Sequence, residues 1–122
     1  ELYRAAYTDP NLPPGFFSEP DDDLLRPLPH PSGGAVDPIL TVEGISLGSG
    51  TDFDDRTPLA RVAALEHQLG PNRDVRRFPK QVMARKGFVV FDGEWWHFEY
   101  GTRRWAAITG GTPRFGPAGP AD

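Results

Sequence analysis

The run Asp92-Gly93-Glu94-Trp95-Trp96-His97-Phe98-Glu99-Tyr100-Gly101 sets a carboxylate, Glu94, and an imidazole, His97, inside an otherwise aromatic, strand-like stretch. A half-buried strand favours apolar and β-branched residues, and a buried charge or imidazole needs a partner to offset its lost hydration. Upstream, His30-Pro31-Ser32-Gly33-Gly34-Ala35-Val36-Asp37 offers a second imidazole and a carboxylate on either side of a glycine turn. His30, Asp37 and His97 can together supply three nitrogen and oxygen ligands to one Zn2+, which leaves Glu94 free as a base.

Regular strand geometry does not deliver that arrangement unaided. Alternate side chains share a face, so His97 lies with Trp95 and Glu99 while Glu94 points the other way. Gly93 directly precedes Glu94, and a bulge or turn there re-aims the carboxylate, so irregular backbone is expected between Asp92 and Trp95. Gly33-Gly34 plays the same part upstream, letting the chain reverse and bring a loop imidazole and a strand carboxylate to one point. Three ligands leave a fourth tetrahedral position open, the mark of a catalytic rather than a structural zinc.

The spacing of His30 and Asp37, followed later by Glu94-Trp95-Trp96-His97-Phe98, resembles the zinc D-alanyl-D-alanine dipeptidases of the VanX type, within the wider lysostaphin, D-Ala-D-Ala metallopeptidase and hedgehog group. Gly50-Thr51-Asp52-Phe53-Asp54 fits a Gly-Thr-x-Phe-Asp segment that lies between the two motifs in that family, and Gly87-Phe88 fits a Gly-Phe step before the second. The resemblance covers roughly residues 25 to 106. It implies that His30, Asp37 and His97 bind one zinc per chain and that Glu94 is general base and acid. It also implies a D-Ala-D-Ala dipeptide or a peptidoglycan stem peptide as substrate; the compartment, bacterial cytoplasm or cell envelope, is left open. Two departures stand out. Asp37 is followed by Pro38, which lacks a backbone donor and argues against a regular strand running through Asp37. The family's catalytic arginine belongs to a motif upstream of the first ligand that nothing before His30 matches, so neither Arg4 nor Arg26 is given its role. Residues 1–108 are therefore read as a zinc peptidase domain incomplete at its N-terminus, and residues 109–122 as a Gly/Pro-rich tail.

The expected fold is α+β, a small antiparallel sheet with flanking helices and long loops. With 14 Gly and 14 Pro in 122 residues, turn and irregular structure take a large share of the chain. Residues 1–7 suit the end of an amphipathic helix, and residues 10–31 an extended loop that delivers His30. Two short strands with a turn at Glu43-Gly44 are expected within 35–47, and a flexible turn at Gly48-Ser49-Gly50. Thr57-Pro58 is read as the start of a helix reaching Gly70, and a second helix is expected over 73–86, broken or kinked near Pro79 and ended by Gly87. Its cations, Arg73, Arg76, Arg77, Lys80, Arg85 and Lys86, are read as a solvated face. Phe88–Phe91 and Glu94–Tyr100 form an expected hairpin about Asp92-Gly93, with Trp105–Ile108 as a last strand pairing on the His97 strand.

Composition narrows the alternatives. The absence of cysteine excludes disulfides and thiolate metal sites. A formal net charge of −4 argues against binding the phosphate backbone of nucleic acid. No stretch approaches the roughly 20 apolar residues of a membrane span. Ser32 and Ser46 have no base at usable spacing, which disfavours a serine nucleophile. Trp95, Trp96, Phe98 and Trp105 are read as core and pocket wall, Thr51, Phe53 and Asp54 as fixing the loop beside the site, and His67 as exposed. Two rival functions remain: a D,D-carboxypeptidase or other peptidoglycan peptidase with a more open cleft, and a non-catalytic module that keeps zinc for stability or partner binding.

Overall fold

The computed structural model describes residues 28–116. The helix expected at 1–7, most of the 10–31 loop and residues 117–122 lie outside the described residues. The architecture is α+β. Strands β1 (Ala35–Val36), β2 (Thr41–Val42) and β3 (Ile45–Ser46) are followed by a 3-10 turn at Pro58–Ala60 and by helix α1 (Pro71–Arg85). Strands β4 (Val89–Val90) and β5 (Phe98–Glu99) and helix α2 (Arg103–Thr109) complete it. One antiparallel sheet runs β1-β5-β4, and β2 and β3 form a separate hairpin. That hairpin turns at Glu43-Gly44, as expected, with both residues at positive φ.

Helix α1 is long because its sequence marks both ends. Pro71 occupies a first-turn position where its missing N–H costs nothing, Asp74 sits in the first turn and Arg85 in the last. At the far end Gly87 adopts φ 84°, its N–H bonds to Ala84 O at 2.9 Å, and Phe88 N–H bonds to Met83 O at 3.1 Å. This pair of bonds is a Schellman closure. The helix runs unbroken through Pro79.

Three expected elements turn out otherwise. Between Thr57 and Gly70 only Pro58–Ala60 is helical, and the remainder is a chain of separate turns (Ala64 N–H to Arg61 O, Glu66 N–H to Ala63 O, Gln68 N–H to Leu65 O). Tertiary bonds outcompete the local apolar stripe here. Ala60 O accepts from Trp95 N–H at 3.0 Å and Val62 N–H donates to Asp92 O at 3.1 Å, while the Thr57 hydroxyl bonds Asp55 instead of capping. Secondly, Trp105–Ile108 is not a strand but most of α2. Thr102 Oγ1 accepts from Trp105 N–H at 3.1 Å, Gly110 closes the helix at φ 73°, and both edges of β5 are already taken by β1 and β4. Thirdly, the returning strand is confined to Phe98–Glu99, because Glu94–His97 forms a turn in which His97 N–H bonds to Glu94 O. The irregularity expected from Asp92 to Trp95 thus extends to His97.

The core forms around the aromatic run. Trp96 and Phe98 are almost wholly buried, with Trp95, Trp105, Ala60, Val62, Leu65, Ala35 and Ala106 beside them. Trp95 and Trp96 meet edge to face at 5.2 Å. Each such ring removes on the order of 200 Å2 from water, worth up to about 5 kcal/mol by area. These rings hold the site's backbone in place. Within the segment expected as a tail, Arg114 N–H bonds to Gly101 O at 2.8 Å, and the Phe115 ring lies close to Gly101. His67 is exposed, as expected, although in a turn.

Thr102 is 4% exposed and joins two elements, capping α2 and donating its hydroxyl proton to Glu99. Thr102→Val, which keeps the shape and removes both bonds, is expected to lower unfolding stability by about 1–3 kcal/mol. Urea denaturation followed by tryptophan fluorescence measures it, and an unchanged midpoint would refute the joint role.

Candidate metal centre

His30 and Asp37 reach the sheet through one compact turn. Gly33 N–H bonds to His30 O at 2.9 Å, Gly33 takes φ 75°, and Ser32 Oγ both donates to Pro29 O and accepts from Gly34 N–H. Gly34 then lies so close to β5 that an added Cβ would stand 2.6 Å from Thr102 Cγ2 and 2.9 Å from Tyr100 O. Only glycine allows that approach, and Tyr100 N–H answers it with a 2.8 Å bond to Gly34 O. β1 follows, pairing Ala35 with Glu99 and Val36 with Phe98. Extending this antiparallel register by one residue sets Asp37 opposite His97. The strand itself stops at Val36, before the Asp37-Pro38 step, in keeping with the missing proline donor.

The three side chains converge. His30 Nε2 lies 3.1 Å from His97 Nδ1 and 3.3 Å from Asp37 Oδ2, and His97 Nδ1 lies 3.2 Å from Asp37 Oδ1. Donors about 2.0–2.1 Å from a tetrahedral ion stand roughly 3.3 Å apart, so the spacing suits zinc. Asp37 Oδ1 is buried and counts no hydrogen-bond partner among the described residues, although His97 Nδ1 stands 3.2 Å away. An orphaned oxygen on a carboxylate whose two oxygens face two different ring nitrogens fits a cation's donor set. Glu94 Oε2 stands 3.8 Å from His97 Nδ1 and is brought to the same side by the Glu94–His97 turn.

Behind His97 lies a partner that motif reading passed over. His97 Nε2 and Glu99 Oε1 are 2.9 Å apart, and Glu99 has no solvent exposure. Glu99 also accepts from Arg104 Nη1 at 2.9 Å and from the Thr102 hydroxyl. A carboxylate on one ring nitrogen fixes the tautomer and turns the other nitrogen toward the metal position. The strand period already put Glu99 on the His97 face; nothing in the sequence alone marked it as buried.

Thr51, Phe53 and Asp54 sit on the loop beside this group. Thr51 Oγ1 accepts from Trp95 Nε1 at 2.8 Å, Phe53 rests on Trp96 with ring centres 5.4 Å apart, and Asp54 holds φ 61°. Burial and the nearby Asp37 charge raise the Asp54 carboxyl pKa against the pull of Arg56 and His30. Glu94 is raised in the same way, by burial first and then by Asp37 and Asp54, with His97 and His30 opposing. Arg76 does not belong to the solvated face expected of it. It is 4% exposed, its Nε donates to Ser49 O at 2.6 Å, and Nη1 donates to Leu59 O at 2.9 Å and Arg61 O at 3.1 Å.

A family model described as D-ala-D-ala dipeptidase, the M15 peptidases, matches residues 14–108. The chain belongs to that family. A D-alanyl-D-alanine dipeptidase from Synechocystis is 31% identical over 104 residues, covering 75% of this chain. The chain spans 41% of the length of that relative. No solved structure matches it. Among the described residues no helix is long and apolar enough to cross a membrane.

Charge at His97 gives a direct check on this geometry. Burial disfavours the charged ring, but the contacts with Asp37 and Glu99 outweigh it and raise the pKa from 6.5 to about 9. A raised folded-state pKa contributes stability that is complete below the unfolded value and lost as pH climbs through the folded one. Metal-stripped protein is therefore expected to lose denaturation midpoint between about pH 7 and about pH 9. His97→Gln should flatten that slope, and equal slopes in both proteins would refute the assignment.

Proposed function

We propose that the chain is the metal-binding part of a zinc peptidase that hydrolyses D-Ala-D-Ala dipeptide. The observation that carries this reading is the convergence of His30, Asp37 and His97 within ligand spacing, with the Glu94 carboxylate 3.8 Å from His97 and outside the donor set. A purely structural zinc needs no free carboxylate at its edge. Membership of the family and the printed activity of the Synechocystis relative support the same substrate.

His30 Nε2, Asp37 and His97 Nδ1 would hold the zinc, which when bound supplies Lewis acidity toward a carbonyl and toward water. Glu94 takes a proton from the attacking water and returns it to the departing amine. Its half-buried setting, which raises its pKa, suits a group that must do both. Glu99 holds His97 in the tautomer that presents Nδ1. Trp95 and Trp96 are too buried to offer much surface and act as the backing of the wall, whereas Phe53 and Asp54, on the neighbouring loop, are exposed. The arginine that would steady the developing oxyanion is assigned to no described residue.

The test uses the full-length protein with metal analysis and hydrolysis of D-Ala-D-Ala and of an N-acylated tripeptide ending in D-Ala-D-Ala. Wild type is expected to carry one zinc and prefer the free dipeptide, and Glu94→Gln to keep the zinc while losing roughly 100- to 10,000-fold in turnover. Preference for the acylated tripeptide would replace this reading with a D,D-carboxypeptidase. Bound zinc with equal, negligible turnover in both proteins would make the domain a non-catalytic module.

Metal affinity gives a second expectation. Glu99→Gln should weaken zinc binding about 10- to 100-fold in a competition titration with a chelating dye, and Asp37→Ala should abolish it. Wild-type affinity in Glu99→Gln would remove the orienting role.

A further inference from the structure

Among the described residues, the buried Arg76 guanidinium hydrogen-bonds to main-chain carbonyls alone, those of Ser49, Leu59 and Arg61. These carbonyls bracket the loop that carries Thr51, Phe53 and Asp54, so one side chain ties both of its ends to α1. The consequences converge on a single residue. Ala60, between the two carbonyls at the far end, accepts from Trp95 N–H at 3.0 Å, and Val62 N–H holds Asp92 O at 3.1 Å. At the near end, Thr51 Oγ1 accepts from the Trp95 indole at 2.8 Å. The guanidinium itself lies 5.6 Å from the centre of a Trp95 ring. Trp95 is thus fixed by backbone, by indole and by ring face, each contact depending on what Arg76 holds, and Trp95 is the residue after Glu94.

The outlay in desolvation also speaks for a specific task. A buried cation that feels a carboxylate, Asp55, only through space and makes no direct ion pair among the described residues is costly, and Nη2 lacks a hydrogen-bond partner among those residues. An apolar side chain on α1 would fill the same space at lower cost. What it would not do is donate hydrogen bonds to three carbonyls from two separate stretches, which one rigid guanidinium fork does here.

We propose that Arg76 is a positioning residue that sets the location of the Glu94 carboxylate through the 49–61 loop and Trp95, an inference that rests on Glu94 being the general base. Misplacing a catalytic group by about 1 Å can cost on the order of a hundredfold in rate, so the link has a kinetic signature.

The experiment compares wild type, Arg76→Met and Arg76→Lys in the zinc-loaded full-length protein. Arg76→Met is expected to lower kcat for the dipeptide roughly 10- to 100-fold with KM and zinc affinity within about threefold, and Arg76→Lys to recover part of the loss. Amide hydrogen exchange supplies a readout independent of turnover. Trp95 and Val62 amides should exchange at least about tenfold faster in Arg76→Met, while the Tyr100 amide, bonded to Gly34 across the sheet, stays at its wild-type rate. Equal acceleration at all three sites, unfolding of both variants, or unchanged exchange at Trp95 and Val62 would overturn the proposal. If wild type shows no Glu94-dependent turnover, the peptidase reading fails instead, and the exchange pattern alone still decides whether Arg76 holds the Glu94 turn.

Discussion

A carboxylate with no solvent exposure sits in the middle strand of the sheet, and the arrangement around Glu99 follows from satisfying it. Burial alone would push its proton affinity up; hydrogen bonds from His97 and Thr102 and the Arg104 charge reverse this and keep the group ionised. Each partner belongs to something larger. Thr102 begins α2, Arg104 lies in its first turn over the Phe91 ring, and His97 ends the turn that carries Glu94. Breaking such a pair leaves an uncompensated buried charge, which costs more than the pair itself gains. Glu99 therefore contributes less to net stability than to selecting one arrangement of its three partners.

That arrangement propagates to the site by register. Because β1 pairs with β5 through only two residue pairs, the placement of Asp37 opposite His97 rests on few backbone bonds. The Gly34–Thr102 approach and the Tyr100–Gly34 bond extend the contact at one end. A slip of one residue would turn Asp37 to the other face, so the tight glycine packing fixes chemistry as well as shape. The second buried charge, Arg76, does for the Glu94 side what Glu99 does for the His97 side. Between them the short turn from Asp92 to His97 is held from both flanks, which explains how residues outside regular structure keep a defined geometry.

The grouping of His30, Asp37, His97 and Glu94 in space was legible because their order and spacing resemble a metallopeptidase's, and the need for irregular backbone at Glu94 followed from the two-residue period of a strand. The far end of helix α1 was legible because Gly87 marks it locally, whereas its unbroken run through Pro79 was not. The segment from Thr57 to Gly70 was misread because its apolar stripe suits a helix equally well, and only the hydrogen bonds with the Asp92–Trp95 turn, from residues about thirty positions away, decide against one. Trp105–Ile108 was misread as a strand for a related reason: it lies next to the His97 strand in sequence, but β1 and β4 occupy both edges of β5, and the caps Thr102 and Gly110 make it helical instead. Arg76 and Glu99 were hidden because a charged residue's burial depends on partners that no local pattern announces.

The electrostatics of the cluster bear on what it is built to hold. Asp37, Asp54 and Glu94 crowd one another, and the pKa values of Asp54 and Glu94 are raised partly by that repulsion. His97 is driven the other way, toward its charged form, by Asp37 and Glu99. A proton on His97 is thus the cluster's own partial remedy for excess negative charge. A divalent cation among the same donors would supply two positive charges where the proton supplies one, displace that proton and draw the Glu94 carboxyl toward its ionised form. A metal bound there would compete with that proton for His97 Nδ1, and its charge would act on Glu94 through the same cluster.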